Sequence, residues 1–562
     1  MLNIILQSFL ITILFTPYGL FLSNENKKNL DYFSSQLIYG LIILSFIGLF
    51  LNFFFPLNKY LNTLILIIPI IFLIRKKSIY FTKQFFLFSS VSAIIIFILI
   101  CESNVYRPDA GLYHLPYIKI LNEEKIIFGL SNLHFRYAHI SIIQYLSAIS
   151  NNIIFSQNGI VFAQALIASS IIINFLNKIY KYNKNQKYNF HFFFLISASV
   201  YIAYKMNRYS EYGNDAPSHF IFFFLISELL SLDKTKTEHV ANNFILIAFI
   251  IFNKITLLLC VLLSFILLKN IKLKKLLKLK RTYFFSFFVI FWLLKNVIVS
   301  GCVLYPVKSL CSSSLFWTDI KKVENVSVEN EVWTKGWPDY TRSMVNNENQ
   351  RISKEAYLEN FFWLPYWSKN HLIKIFNILL PYIIFLIILS LILFKVKKKQ
   401  KIHKINKTFL TLIILMFFST LFWFLKVPVF RYGYSYIISL ICFLFAYLAM
   451  QFELKNNIKN LFNFIIVLII TTLITKNFLR VVNSSNDYNN YPWPKYYSMD
   501  NTNQLTEFKK NVLNDKIILN PINGYCMYSE KICTNYKLDE RLILKKINSY
   551  NFFYKNKYDN LN

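Results

Sequence analysis

The chain has 562 residues, of which 55% are hydrophobic, and it carries a formal net charge of +33 at pH 7. Its apolar residues occur in long runs rather than in amphipathic stripes, and about 20 apolar residues span a hydrocarbon core. This composition excludes an ordinary soluble domain and predicts a membrane protein with many spans. The basic residues lie in short loops between the apolar runs, as in cytoplasmic loops, so we do not expect a nucleic-acid partner.

The first apolar run begins at Leu2 without a basic region before it, which favours a retained helix over a signal peptide. The spacing of the later runs predicts about 12–14 transmembrane helices in total. The runs lie at 2–22, 36–56, 61–74, 84–101, 159–178, 190–206, 216–232, 240–268, 284–300, 372–394, 408–426, 434–452 and 460–476.

The run at 240–268 is interrupted by Asn253-Lys254 and is predicted to cross twice. Its first half reaches only about 18 Å as a helix, so the turn should lie below the outer surface. A lysine at that depth is a candidate functional residue. A snorkelling lysine at a helix end is an equally good interpretation.

Basic loops at 269–283 and 397–407 are predicted to face the cytoplasm. Three segments then face the opposite side, and all the unusual polar clusters fall at that face. The segments are 102–158 with interfacial helices, 301–371, and the tail at 479–562.

The predicted fold is therefore an all-α polytopic membrane domain over 1–478. A small α/β periplasmic domain over 479–562 is expected to cap it. No internal repeat is visible in the sequence.

Two close pairs of cysteines lie on the predicted outer side. Cys302 and Cys311 flank a short loop, and Cys526 and Cys533 flank a turn in the tail. Close pairs in an oxidising compartment predict two disulfides. Metal binding is the weaker alternative, because no histidine with ligand spacing accompanies either pair.

The stretch RPDAGLYHLP places Arg107, Asp109, Tyr113 and His114 between two apolar regions. Pro108 ends any helix before it, and Asp109 could cap a helix that follows. On that helix Asp109 and Tyr113 share a face. Capping explains the aspartate but not the tyrosine and histidine as well.

A second cluster contains His134, Arg136 and His139. A metal site formed with His114 is one interpretation, although a five-residue spacing does not align two side chains on a helix. Phosphate binding by the arginine is at least as plausible.

Three further clusters and the Lys254 turn interrupt the apolar pattern at helix ends. Singly, each could be a helix cap or an interface anchor. Together, the clusters supply acids and cations suited to holding a lipid-linked phosphate while an acid accepts a proton from a hydroxyl. The three clusters contain Asp215, Lys295 with Tyr305, and Arg431 with Tyr432.

These motifs, in this order, resemble the GT-C superfamily of integral-membrane glycosyltransferases, which includes protein O-mannosyltransferases and aminoarabinose transferases. The resemblance covers roughly 100–440 and departs in having one acid at Pro108-Asp109 and Cys302-Val303 in place of Asn-Pro. The matching strings are Asp109 with Tyr113-His114, Asp215, Asn253-Lys254-Ile255-Thr256, Lys295-Asn296 through Tyr305-Pro306, and Phe430-Arg431-Tyr432.

The resemblance implies inverting transfer of a sugar from a polyprenyl-phosphate donor to a glycan, lipid or protein acceptor. It places the protein among the lipids of a bacterial inner membrane, with its active site and C-terminus periplasmic. Asp109 would be the general base, steadied by His114, and Asp215 would bind hydroxyls. No cofactor is implied, and a divalent cation is left open. The implied substrate- and phosphate-binding residues are Arg107, Tyr113, His134, Arg136, His139, Lys254, Lys295, Tyr305, Arg431 and Tyr432.

In the same interpretation, Trp333 and Trp337 shape the acceptor entrance. Other classes remain open: a transporter or flippase of lipid-linked solutes, a glycan polymerase, and a noncatalytic envelope protein. A transporter is expected to carry charges within its helices and to show repeated halves. In this sequence the charges gather at the outer helix ends.

Overall fold

A computed structural model of the protein describes most of the chain. The described residues are 2–22, 28–101, 109–139, 141–206, 213–231, 237–268, 271–336, 353–400, 407–454, 458–482, 507–514 and 516–555. Within these ranges the protein is mostly helical, with many long apolar helices and a small sheet part.

The α-helices follow the predicted apolar runs closely. They are α1 (Leu2–Phe15), α2 (Leu30–Asn52), α3 (Lys59–Arg75), α4 (Lys77–Tyr80), α5 (Lys83–Ile100), α6 (Leu115–Glu123), α7 (Ile143–Ser150), α8 (Gly159–Lys184), α9 (Phe190–Tyr204), α10 (Asp215–Ser231), α11 (Thr237–Asn253), α12 (Leu263–Leu268), α13 (Leu273–Leu277), α14 (Lys280–Ser300), α15 (Ile320–Gly336), α16 (Lys354–Leu358), α17 (Leu364–Trp367), α18 (Ile373–Lys395), α19 (Lys407–Lys426), α20 (Phe430–Met450) and α21 (Lys459–Val482).

Shorter helical turns and strands connect these helices. The turns are Thr16–Leu22, Ala110–His114, Leu130–Asn132, Phe135–His139, Ile255–Leu262, Lys308–Leu310, Glu359–Phe361 and Ser368–Leu372, and the strands are β1 (Lys397–Gln400), β2 (Phe452–Leu454), β3 (Phe508–Leu513), β4 (Lys516–Pro521), β5 (Leu542–Ile547) and β6 (Tyr550–Lys555).

Nine helices in the described ranges are long and apolar enough to cross a membrane, judged by length and composition. The sequence predicted about 12–14 spans, and the difference arises because several runs form shorter helices. α3, α10 and α11 each have 17 residues. The nine are Leu2–Leu22, Leu30–Asn52, Lys83–Ile100, Gly159–Lys184, Lys280–Ser300, Leu364–Lys395, Phe409–Lys426, Phe430–Met450 and Lys459–Val482.

α8 is the central helix of the bundle. In its most apolar window 94% of residues are buried, against 22% for α19, so α8 lies in the core and α19 at the periphery. α8 packs against α2, α5, α7 and α10, which together enclose it. The exposed faces of the peripheral helices are apolar, with Phe417 and Phe418 on α19 as examples.

The long run at 240–268 is broken at Lys254, as predicted. α11 ends at Asn253, Lys254 has extended backbone angles (φ −148°, ψ 102°), and a new helical turn begins at Ile255. The Asn253 side chain fixes the break, because its Oδ1 accepts from Ile143 N at 3.0 Å and its Nδ2 donates to Phe249 O at 2.8 Å.

The described part of the tail consists of two antiparallel hairpins, β3–β4 and β5–β6. The predicted strands are confirmed, whereas 507–514 and 516–555 contain no helix to match the α/β expectation. The tail packs on the segment after α6, where Phe553 N donates to Phe128 O at 2.8 Å. The predicted boundary at 478 lies inside α21, which continues to Val482.

Both predicted disulfides are formed. Cys302 is bonded to Cys311, and Cys526 is bonded to Cys533. The alternative of metal binding at these cysteines is therefore wrong.

Candidate functional site

Charged residues from distant parts of the chain meet at one end of the bundle. Each lies at the start, the end or a break of a helical element, where a side chain can reach past its helix. We call this group the ion cluster, and its members are Asp109, Arg136, Asp215, Lys254 and Arg431.

The ion cluster forms one continuous row of ion pairs. Arg136 Nη1 lies 2.9 Å from Asp109 Oδ1, and Arg431 Nη1 lies 3.8 Å from Asp109 Oδ2. Arg431 Nε lies 3.9 Å from Asp215 Oδ2, and Lys254 Nζ donates to Asp215 Oδ1. Three cations therefore face two carboxylates, which leaves an excess of one formal positive charge.

Exposure changes steadily along the row. The Lys254 side chain is 5% exposed and that of Asp215 is 13% exposed, whereas Asp109 is 33% exposed. Arg431 lies between these extremes at 27%. The row thus runs from the protein interior to its surface, and Asp109 is the carboxylate that a solvent-borne molecule can reach.

Local structure explains why the two acids are available for ion pairing. Asp109 precedes the helical turn Ala110–His114, but its side chain makes no capping hydrogen bond there, so capping does not account for it. Asn214 Nδ2 donates to Asn253 O at 2.7 Å. This bond ties the start of α10 to the end of α11 and so brings Asp215 to Lys254.

Aromatic rings lie against the three cations. The Arg136 guanidinium is 4.8 Å from the centre of the Tyr113 ring, and Lys254 Nζ is 4.2 Å from the centre of the Tyr432 ring. The guanidinium of Arg431 lies 5.2 Å from Tyr432 and 5.8 Å from Trp333. Such contacts stabilise a cation in a water-poor site.

His114 is buried beside the ion cluster. Gln144 Nε2 lies 2.6 Å from its Nδ1, and its ring packs 4.2 Å from that of Tyr113. Burial lowers the pKa of His114 to about 4, although the charges of Asp109 and Asp215 act in the opposite direction. The imidazole is therefore neutral at pH 7 and can donate or accept a hydrogen bond.

Three other predicted site residues form a second polar group next to Arg136. The His139 ring lies 5.1 Å from that of Tyr305, and the fully buried Lys295 donates to Asn296 Oδ1 at 3.1 Å. Burial, followed by the charges of Arg136 and Lys295, lowers the pKa of His139 to about 4.

The histidine metal site that the sequence left open is not formed. His134 Nδ1 accepts from Arg136 N at 3.1 Å, and Gln144 occupies Nδ1 of His114. Within the described ranges, no group of three or more His, Cys, Asp or Glu side chains is placed to hold a metal ion. Arg107 and Trp337, which the sequence also singled out, lie outside the described residues.

A sequence model for one protein family matches residues 1–438; its description is "Domain of unknown function (DUF8201)". The chain belongs to the DUF8201 family. The DUF8201 match includes every residue of the ion cluster and ends before the tail. No curated protein and no solved structure matches the chain.

Some supporting residues of this DUF8201 site were missed in the sequence. His219 Nε2 lies 2.9 Å from Arg431 O, and its Nδ1 lies 2.8 Å from Ser435 Oγ. Thr256 Oγ1 donates to Tyr432 O at 2.8 Å. The one available signal was spacing, since His219 follows Asp215 by four residues and so shares its helix face.

Replacing His139 by Phe is expected to flatten the acid side of the stability profile. The pKa of His139 is about 4 in the folded protein and ordinarily 6.5, so the unfolded chain binds more protons between these values. Stability is fully present above pH 6.5 and falls as the pH drops towards 4. The variant should reduce that slope by up to about 1.4 kcal/mol per pH unit.

Thermal unfolding of purified protein between pH 4.5 and 7.5 measures this slope. His239→Phe is the matched control, because His239 lies at the start of α11, away from the ion cluster. An unchanged slope in the His139 variant would show that His139 is not held neutral in the fold.

Proposed function

We propose that the protein is an integral-membrane glycosyltransferase of the GT-C type. It moves a sugar from a polyprenyl-phosphate donor to an acceptor hydroxyl at the outer face of a bacterial inner membrane. The observation that carries the proposal is the position of Arg431 between Asp109 and Asp215, because it joins a surface carboxylate and buried cations in one site.

The nine long apolar helices support the membrane assignment. Their peripheral members expose apolar faces that match lipid, and α8 forms the dry interior. The ion cluster then lies at one end of the bundle, where a lipid phosphate meets a water-soluble acceptor. The predicted placement of the basic loops makes this end the periplasmic one.

Arg431 and Lys254 are suited to bind the donor phosphate. Arg431 stands 3.8 and 3.9 Å from the two carboxylates, which is longer than a direct hydrogen bond. A phosphate oxygen can therefore take its guanidinium protons without breaking a short contact, and a guanidinium binds phosphate in a bidentate manner. Lys254 supplies a fixed point charge beneath it.

Asp109 is suited to act as the general base. The acceptor O–H gives its proton to the Asp109 carboxylate while its oxygen forms a bond to the anomeric carbon. The bond from that carbon to the phosphate oxygen breaks, and the electron pair leaves with the phosphate. Attack opposite the leaving group inverts the anomeric centre, and the cations stabilise the charge that develops on the phosphate.

A divalent cation does not fit the ion cluster. Asp109 is paired with Arg136, and Asp215 is paired with Lys254. Hard divalent cations take several carboxylate and carbonyl oxygens, and the carboxylates here already face three positive side chains. We therefore assign the charge stabilisation to Arg431 and Lys254 alone.

Binding of a short prenyl phosphate tests the proposal. Purified protein in lipid nanodiscs should bind farnesyl phosphate more tightly than farnesol, because only the phosphate engages the cations. Arg431→Gln should weaken that binding by about 10- to 100-fold, the loss expected for hydrogen bonds to a charged group. Calorimetric titration measures both affinities.

Arg541→Gln is the matched control, since Arg541 pairs with Asp539 in the tail, away from the ion cluster. Equal binding of farnesol and farnesyl phosphate by the natural chain would contradict the phosphate site. Unchanged binding by the Arg431 variant would remove Arg431 from it.

A further inference from the structure

The disulfide-closed turn 526–533 in the tail contacts both segments that carry the outer ion pair. Met527 N donates to Gly111 O at 3.0 Å, and Gly111 follows Asp109 by two residues. Tyr137 Oη donates to Cys533 O at 2.6 Å, and Tyr137 is the neighbour of Arg136. The two arms of one short turn thus reach the two partners of one ion pair.

The first arm fits its segment without spare room. A Cβ atom placed on Gly111 would lie 2.6 Å from Met527 Sδ and 2.8 Å from Tyr525 Cβ, closer than non-bonded atoms approach. Only glycine lets the helical turn after Asp109 sit this close to the tail. Any movement of the 526–533 turn is therefore passed directly to the Asp109 segment.

The second arm adds further contacts to the segment of Arg136. Thr534 Oγ1 donates to Leu133 O at 3.3 Å. The Tyr536 ring packs 4.6 Å from that of His134 and 5.3 Å from that of Phe135. Since His134 Nδ1 accepts from Arg136 N, this arm also fixes the backbone that carries the guanidinium.

The disulfide connects the two arms at their points of contact. Cys526 adjoins Met527, and Cys533 itself accepts the Tyr137 hydrogen bond. Met527 has φ of +49°, a conformation that a residue with a side chain keeps only when its surroundings enforce it. Opening the Cys526–Cys533 bond removes the covalent part of that enforcement.

We propose that the turn 526–533 is a clamp that positions Asp109 against Arg136, and that the clamp closes only when Cys526 and Cys533 are oxidised. Closure is thiol–disulfide exchange with a disulfide-bonded oxidant: the two thiols lose two protons and two electrons, and the oxidant leaves as a dithiol. The clamp stands on its contacts alone, whereas its effect on catalysis rests on the proposed function.

Hydrogen exchange by mass spectrometry tests the clamp on full-length protein in nanodiscs. The Cys302→Ser/Cys311→Ser variant serves as the background, so that mild phosphine reduction of the folded protein opens only Cys526–Cys533. Reduction should speed exchange in peptides covering 109–114 and 133–139 by about tenfold or more, the change that loss of one or two hydrogen bonds gives. Peptides from α8 should not change.

Tyr137→Phe is the second variant, because it keeps the disulfide and the ring and removes only the hydrogen bond to Cys533. It should speed exchange in 133–139 and leave 109–114 unchanged. Exchange that is the same before and after reduction overturns the clamp. So does faster exchange spread evenly over the whole chain, since that would report general unfolding.

Farnesyl phosphate titration of the same samples separates the two proposals. Binding that weakens by about tenfold on reduction, together with faster local exchange, supports both. Faster local exchange with no binding before or after reduction keeps the clamp and ends the proposed phosphate site. Binding that is present and insensitive to reduction, with unchanged exchange, ends the clamp alone.

Discussion

Replacing Asp109 by Asn is expected to lower the rate of sugar transfer by about 10²- to 10⁴-fold, the contribution typical of a general base. The amide has nearly the same shape as the carboxylate and can still accept from Arg136, so the fold should be retained. It cannot take the proton of the acceptor hydroxyl. Transfer from a polyprenyl-phosphate sugar in membranes that contain the protein measures the effect.

Asp31→Asn is the matched control. Asp31 is also partly exposed and paired with a cation, Lys181, but it belongs to α2, outside the ion cluster. Full activity in the Asp109 variant would remove Asp109 as the base. A natural chain that binds the donor and transfers nothing would favour the flippase or the noncatalytic envelope protein instead.

Replacing Lys254 by Met is expected to lower the free energy of unfolding by about 3–5 kcal/mol, because removing one partner of a buried ion pair leaves the other charge uncompensated. Asp215 is 13% exposed and retains only Arg431 at 3.9 Å. Methionine keeps the length and apolar stem of lysine, so packing is little changed. Unfolding of purified protein in detergent measures the loss.

Two comparisons make the Lys254 result specific. Lys181→Met breaks a more exposed ion pair and should cost about 0–1 kcal/mol. Adding Asp215→Asn to Lys254→Met should recover most of the loss, because no buried charge is then left alone. A Lys254 variant as stable as the natural chain would show that the pair is solvated rather than buried.

The helices were predictable because their cause is local. A run of apolar residues long enough to span lipid can bury itself only as a helix, and α8, α14 and α20 appear where the sequence places them. The break at Lys254 was also predictable, since an amide and a lysine interrupt a long apolar run. Shorter helices such as α10 escape a count based on a fixed span length.

The tail was predicted less well. Its strands follow from the local pattern, but the expected helical part has no counterpart in 507–514 and 516–555. The short segments of a small hairpin domain take their conformation from what they pack against. Here that partner is the region after α6, almost 400 residues earlier in the chain, and no local pattern names it.

The members of the ion cluster were chosen from the sequence, but their pairing was not. Asp109 as a helix cap, Asp109 as a base and a histidine metal site were all compatible with the residues. The structure pairs Asp109 with Arg136 and Asp215 with Lys254, and it sets Lys295 and His139 apart in a second polar group. Gln144, Tyr536 and His219 gave no usable signal, because each acts through a neighbour distant in the chain.

The sequence by itself determined the apolar helices, the two disulfides and the set of charged residues at helix ends, because hydrophobic length, cysteine spacing and residue type are local properties. Only the tertiary structure decided which charges meet and which of them reach the surface. The strength of an ion pair depends on distance and burial, and both are fixed by helices that pack together from distant parts of the chain.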